Sequence, residues 1–433
     1  MDKKTIVTIV AVVIALLMGI AIGGYVLPGR EVTVTVTTPS TILQTVYTTY
    51  TTVIPTTVLY TTTVAVERSL LQTILTTSIV PTTIATTIIT TVPTTKPVTE
   101  TITQLQTLTT VVEKISIVDA LGRSIEFEDI PKRVVSTMPS ITEILFALGL
   151  GDRVVGVTTY CNYPPEVPKL VEEGKIQTVG GPWTLDLEKI VALKPDLVLL
   201  SVSPHVRLKD KFDEYGLKTV FLKSNTAQNI YEIYSDIMLV AKIFRVEDRA
   251  QSLIDEMDAK LNSITSKLVG VTKPRVLHLV GPPSWGLYSA GGNTFIGWLI
   301  ETAGGVNIAR QYTGWPRLDY EFILSQDPEV IVITVHDVDP NAIYNEIINT
   351  PITETSAWKN GRVYLLLGEA DDVLSRPGPR IVEALDILAH IIHPEIFGEI
   401  QRADVVNIAR VSATPIPTPI PFSIASDMAV AEV

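Results

Sequence analysis

Four hundred and thirty-three residues exceed one ordinary domain, but the apolar 46% of the chain is unevenly spread, so the average describes no single part of it. Only one uninterrupted apolar run is long enough to cross a bilayer, which excludes a polytopic membrane protein; a collagenous or wholly disordered chain does not fit either. A net charge of -12 excludes a general nucleic-acid binder, and the single cysteine, Cys161, excludes an internal disulfide framework and a cysteine-based metal cluster.

Lys3 and Lys4 precede an apolar stretch from Thr5 to Leu27, long enough for one tilted membrane helix. No positive cluster follows it, so residues 1–30 read as an anchor with its N-terminus inside and everything downstream outside the cell. A cleaved secretory signal is the competing reading, allowed by the small residues around Ala21 to Gly24. A lipid anchor is excluded, because no cysteine lies near the end of the run to carry it.

Residues 31–110 hold 32 threonines and only five charged residues, Glu31, Glu67, Arg68, Lys96 and Glu100. Thr/Val alternation carries strand propensity, but turn chemistry is absent and prolines recur at 39, 55, 81, 93 and 97. This composition predicts a disordered, extended stalk with threonines available for O-linked sugars, reaching at most roughly 260 Å.

Globular sequence starts near residue 111. A strand and turn over Ile115 to Phe127 lead to a strand at Arg133 to Ser136. Ser140-Ile-Thr-Glu143 reads as a capping box opening a helix that stops at Gly149. Strand Val154 to Val157, helix Asp186 to Leu193, strand Asp196 to Leu200, a helix near Leu208 to Tyr215 and strand Thr219 to Phe221 continue the alternation. Short strand and helix periods predict an α/β fold with parallel sheets. Val246 to Leu268 forms one long amphipathic helix, with Leu253, Met257, Leu261, Ile264 and Leu268 on one stripe. Arg275 to Val280 then begins a second α/β series.

Leu185 to Leu200 and Leu318 to Ile333 match almost position for position, 133 residues apart. Two similar lobes, 111–245 and 271–400, joined by a bridging helix at 246–270, are implied. In each copy an aspartate (Asp186, Asp319) N-caps a helix whose second residue is glutamate (Glu188, Glu321). The two glutamates are either dipole partners or halves of a bipartite docking site. Trp183 and Trp315, just before the caps, are either packing staples or cleft residues. Pro415 to Phe422 marks 401–433 as a disordered tail.

Histidines 205, 278 and 336 form no His-x-His or His-x₃-His pair, so no metal site is assigned. Gly149-Leu-Gly151 and Gly304-Gly305 lack dinucleotide-loop spacing, and no Gly-x-Ser-x-Gly, His-Glu-x-x-His or Walker motif points to an enzyme or a resident cofactor.

Four segments, Arg133 to Glu143, Gly156 to Pro165, Leu187 to Leu197 and Ser375 to Arg380, together resemble the class III periplasmic binding proteins of ABC importers, which carry cobalamin, ferric siderophores or haem. The resemblance covers roughly 115–398. It implies two Rossmann-like lobes bridged by a rigid helix, a metal-chelate ligand held between them, no catalysis, and partners in a permease and its ATPase subunits. It also implies that Glu188 and Glu321 pair with permease arginines. Tyr160-Cys-Asn-Tyr163-Pro-Pro, Trp315-Pro and the Asp372/Arg376 pair resemble the cobalamin carrier. Tyr160, Tyr163, Trp183, Trp285, Tyr288 and Trp315 would then wall a corrinoid ring, with Asp372 and Arg376 holding its amide arms. Trp183 is displaced by one residue from the family tryptophan, and the loop with Trp285 and Tyr288 departs from family spacing. A siderophore or haem remains the alternative ligand; a surface adhesion or wall protein on a glycosylated stalk is the alternative of another class.

Overall fold

The computed structural model describes residues 114–335 and 338–410, together with the backbone of three strands further upstream. Those strands, β1 (Val32–Thr37), β2 (Leu43–Val53) and β3 (Thr57–Val64), form an antiparallel sheet. Val46 pairs with Val34 on one side and Val64 on the other. They correct the coil expected for these stretches of the stalk: Thr/Val alternation favours pleated backbone strongly enough to pair strands despite poor turn chemistry. The expected membrane helix, His336 and residues 411–433 lie outside the described residues. Among the described residues no helix is long and apolar enough to cross a membrane.

The remainder, from Lys114, is a compact unit of its own. It opens with the hairpin β4 (Ile115–Val118) and β5 (Ser124–Phe127), then builds a first sheet in the order β10-β9-β6-β7-β8. Its strands are β6 (Val134–Ser136), β7 (Val154–Val157), β8 (Gln177–Thr178), β9 (Leu197–Ser201) and β10 (Thr219–Leu222), all parallel. β6 and β9 are buried at every position, as continuous apolar runs between covering helices require. The helices between these strands include α1 (Pro139–Ala147), α2 (Glu166–Glu172), α3 (Leu187–Ala192) and α4 (Lys209–Glu214).

Two helices, α5 (Ile230–Phe244) and α6 (Glu247–Thr265), lead to the second half. α6 falls within the stretch 246–270 expected to bridge; it buries Ala250, Ile254, Met257, Leu261 and Ile264, a strict four-three alternation along one stripe. The second sheet has the order β13-β11-β15-β16-β17. It comprises β11 (Arg275–Val280), β13 (Val306–Asn307), β15 (Val330–Thr334), β16 (Val363–Leu366) and β17 (Val405–Asn407). A small antiparallel ribbon, β12 (Leu287–Tyr288) with β14 (Arg317–Leu318), stands beside it. Its helices include α7 (Phe295–Thr302), α8 (Tyr320–Gln326), α9 (Gly368–Ser375) and α10 (Ile381–Ile392). One core runs through both halves, containing Ile141 and Leu145 of α1, Met257 and Leu261 of α6, and Leu385 and Leu388 of α10.

Two local expectations are corrected. Ser140-Ile-Thr-Glu143 is no capping box: α1 starts at Pro139, capped by Met138 without a side-chain bond. Proline suits the first helical position because it lacks an N–H, so the start moves upstream and leaves Ser140 and Glu143 inside the helix. The tail does not begin at 401: Val405–Asn407 pair antiparallel with β16, from Leu366↔Val405 to Tyr364↔Asn407.

Candidate functional site

The repeat places its capping residues as the sequence predicts. The Asp186 carboxylate accepts from Lys189 N–H at 3.0 Å and Asp319 from Phe322 N–H at 2.7 Å. Glu188 and Glu321 therefore occupy equivalent positions on α3 and α8, and both are exposed.

Trp183 stands at the tip of a tight loop, 57% exposed, so it is not a packing staple. The loop closes by a bridge from Gly180 to Leu185, with Asp186 N–H donating to Val179 O. Gly180 has φ +89°, and a Cβ there would lie 2.4 Å from Thr184 O, so only glycine allows this turn. His205 braces the loop from below: Nε2 lies 2.6 Å from Pro182 O, while Nδ1 accepts from Ser201 N–H at 3.2 Å. Because Nδ1 accepts, the proton sits on Nε2 and donates to Pro182. Sequence alone assigns this histidine no metal and does not reveal which groups it braces.

Burial pushes the His205 pKa down to about 4 and that of His278 down to about 3. Below about pH 6.5 the unfolded chain takes up protons that these folded histidines refuse, so stability falls with pH toward those values. Asp236, raised by burial to about 6, acts in the opposite sense, since its folded form binds a proton first. Urea midpoints are expected to drop between pH 7 and 4.5, and the drop is expected to be steeper in Asp236→Asn. A flat profile in both proteins contradicts the assignment.

Tyr160 and Tyr163 flank Cys161, which anchors their loop. The buried Cys161 Sγ lies 3.1 Å from the hydroxyls of both Thr142 and Thr158, and burial raises its pKa. It is an inert packing residue rather than a reactive thiol. Both tyrosines are half-buried, and the Arg380 guanidinium lies 3.7 Å from the Tyr163 ring centroid. A Cβ added at Gly181 would come within 3.9 Å of the Tyr160 ring, so Tyr160 neighbours the Trp183 loop.

In the second half, Trp285, Tyr288 and Trp315 are 49%, 37% and 42% exposed. Tyr288 pairs with Arg317 across the β12·β14 ribbon, and Trp315 lies two residues before β14. The Trp315 ring centroid lies 6.2 Å from that of buried His278 and 6.5 Å from that of Phe295. A shallow hollow of about 620 Å³ beside the β4·β5 hairpin, among Lys114, Phe127, Lys132 and Lys218, contains none of the six aromatics.

The two halves are tied by a cluster of charges that local sequence did not reveal. Arg380, at the start of α10, donates from Nε and Nη2 to both oxygens of Glu143 on α1, at 3.0 and 2.9 Å. Arg376 donates to Asp372 at 2.5 Å, to the Asn162 side-chain oxygen at 2.6 Å and to Tyr160 O at 3.2 Å. Its Nη1 also lies 3.5 Å from Glu143. Asn162 completes the ring by donating to Asp372 Oδ2 at 2.8 Å. Arg376, Arg380 and Glu143 are all buried. Asp372 and Arg376 are thus brought together as an i, i+4 pair, which reaches across to Asn162, Tyr160 and Glu143 of the first half.

The periplasmic binding protein family matches residues 134–370. An uncharacterized ABC transporter substrate-binding lipoprotein of Bacillus subtilis is 33% identical over 67% of this chain and 89% of its own length. A cobalamin-binding protein of Halobacterium salinarum is 29% identical over 64% of this chain and 73% of its own. Among solved structures, a possible iron-binding (periplasmic solute-binding) protein of Staphylococcus epidermidis superposes with a TM-score of 0.53 at 28% identity, covering 61% of this chain and all of its own. The chain belongs to the periplasmic binding protein family. It is a substrate-binding component of an ABC importer, a class that works with a permease and ATPase subunits.

Proposed function

We propose that the chain captures cobalamin or a similar corrinoid between its lobes and delivers it to an ABC permease, tethered outside the cell by the apolar helix over 5–27. The carrying observation is the pairing of exposed flat aromatics on both lobes with an inter-lobe polar cluster at Asp372 and Arg376. A corrinoid has a large ring that packs on aromatic faces and amide arms that take both donors and acceptors. A relative named as a cobalamin-binding protein supports the same ligand. An anionic iron chelate calls for several uncompensated arginines, whereas Arg376 and Arg380 already face Glu143, Asp372 and Glu369, which leaves Arg317 beside Tyr288 for that ligand. Calorimetric titration of the detergent-solubilised chain with cyanocobalamin, haem and ferric siderophores decides the matter. Silence toward cobalamin with tight siderophore binding would sink the corrinoid assignment.

Glu188 and Glu321 are the proposed permease contacts, one per lobe. Exposed carboxylates at matched positions meet basic pockets without disturbing the cleft. The double variant Glu188→Ala/Glu321→Ala is expected to keep ligand affinity within about twofold and to weaken the permease complex by about tenfold or more. Unchanged complex formation in a reconstituted membrane assay removes the docking role.

A further inference from the structure

The Asn162 side chain makes a cyclic pair of bonds that only one orientation allows. A carboxylate only accepts and a guanidinium only donates, so the Asn162 NH₂ faces Asp372 at 2.8 Å and its oxygen faces Arg376 at 2.6 Å. Asp372 and Arg376 together therefore form a receptor for a primary carboxamide, and the group seated in it belongs to the protein. Asn162 itself is exposed, on a loop whose backbone is pinned by its buried neighbour Cys161. Its side chain can swing to solvent by rotation alone. Arg376 stays in place when it does, held by Asp372, Tyr160 O and Glu143.

We propose that Asn162 is a built-in placeholder: it fills the carboxamide receptor of the empty protein, and an amide arm of the incoming ligand displaces it. The identity of that ligand rests on the corrinoid reading above. The placeholder sets specificity in two ways. It fills the second oxygen of Asp372 and an N–H of the buried Arg376 when no ligand is present, so an incoming group must replace two hydrogen bonds rather than two waters. It also admits only groups that match a donor and an acceptor at once. A carboxylate arm, as on haem or on many siderophores, meets the Asp372 charge and does not replace an amide.

A placeholder competes with the ligand, whereas a residue that positions Arg376 assists it, and the two roles move affinity in opposite directions. Cyanocobalamin titrated calorimetrically into the full chain is expected to bind Asn162→Ala about tenfold tighter than the unaltered protein, because one set of bonds no longer has to be broken. Equal or weaker binding overturns the placeholder role. If neither protein binds cyanocobalamin, the corrinoid reading fails and the placeholder is decided separately, on the unaltered chain. There the Asn162 side-chain amide resonances, seen in ¹⁵N-asparagine-labelled protein, are expected to shift saturably with acetamide and not with acetate at the same concentration. Absence of a saturable acetamide shift, or an equal response to acetate, overturns the proposal without reference to any corrinoid. The acetamide measurement also serves if Asn162→Ala fails to fold.

Discussion

Arg380→Ala is expected to lower the unfolding free energy by about 3–5 kcal/mol, the cost of leaving a buried carboxylate without its partner. The carboxylate in question is Glu143, 2% exposed, which loses two bonds and keeps only the longer approach of Arg376 at 3.5 Å. The bond from Arg380 to Glu369 adds little, because that glutamate side chain is 56% exposed. The double variant Glu143→Leu/Arg380→Met is expected to recover most of the loss, since apolar side chains of similar volume need no charge partner. Urea unfolding of both variants measures this. A loss below about 1 kcal/mol for Arg380→Ala would show that water reaches Glu143 and that the pair does not hold the lobes together.

Trp315→Ala and Trp183→Ala are each expected to weaken cyanocobalamin binding by about 30-fold or more, the range of an aromatic hot spot of about 2 kcal/mol. Stability should change little in Trp183→Ala, where the ring is 57% exposed. A somewhat larger loss is expected for Trp315→Ala, because that ring also packs edgewise on Phe295. The separation of affinity from stability is the informative result. If either variant keeps its affinity within twofold while remaining folded, that ring is not part of the ligand wall.

Much of the fold is legible because its determinants are local. The Asp186 and Asp319 caps, the β9 and β15 apolar runs and the α6 stripe are each set within one or two turns of chain, so spacing reveals them. The exposed aromatics were legible only through resemblance, since composition does not tell a staple from a cleft residue. Glu143 was misread for a physical reason. Ser-x-x-Glu has the same grammar whether the glutamate caps its own helix or reaches a buried arginine, and its partner Arg380 lies 237 residues away. His205 is similar: its Nδ1 meets Ser201 N–H at the end of β9 nearby in sequence, but its role depends on Pro182 O brought in by a separate loop. The strands of the stalk were missed because proline and absent turn signals outweighed a real Thr/Val alternation.

The short strand β17 also decides where the domain can be cut. β16 is buried at all four positions and is flanked on one side by β15 and on the other only by Val405–Asn407. Asp404 clamps this last segment, its carboxylate accepting from Ala370 N–H at 2.8 Å while its carbonyl accepts from Leu367 N–H at 2.8 Å. A fragment ending at residue 400 would bare an apolar strand edge with unpaired amides, a ready template for a second chain. Such a fragment would stick to itself before it met any ligand; one ending at 410 keeps the edge covered.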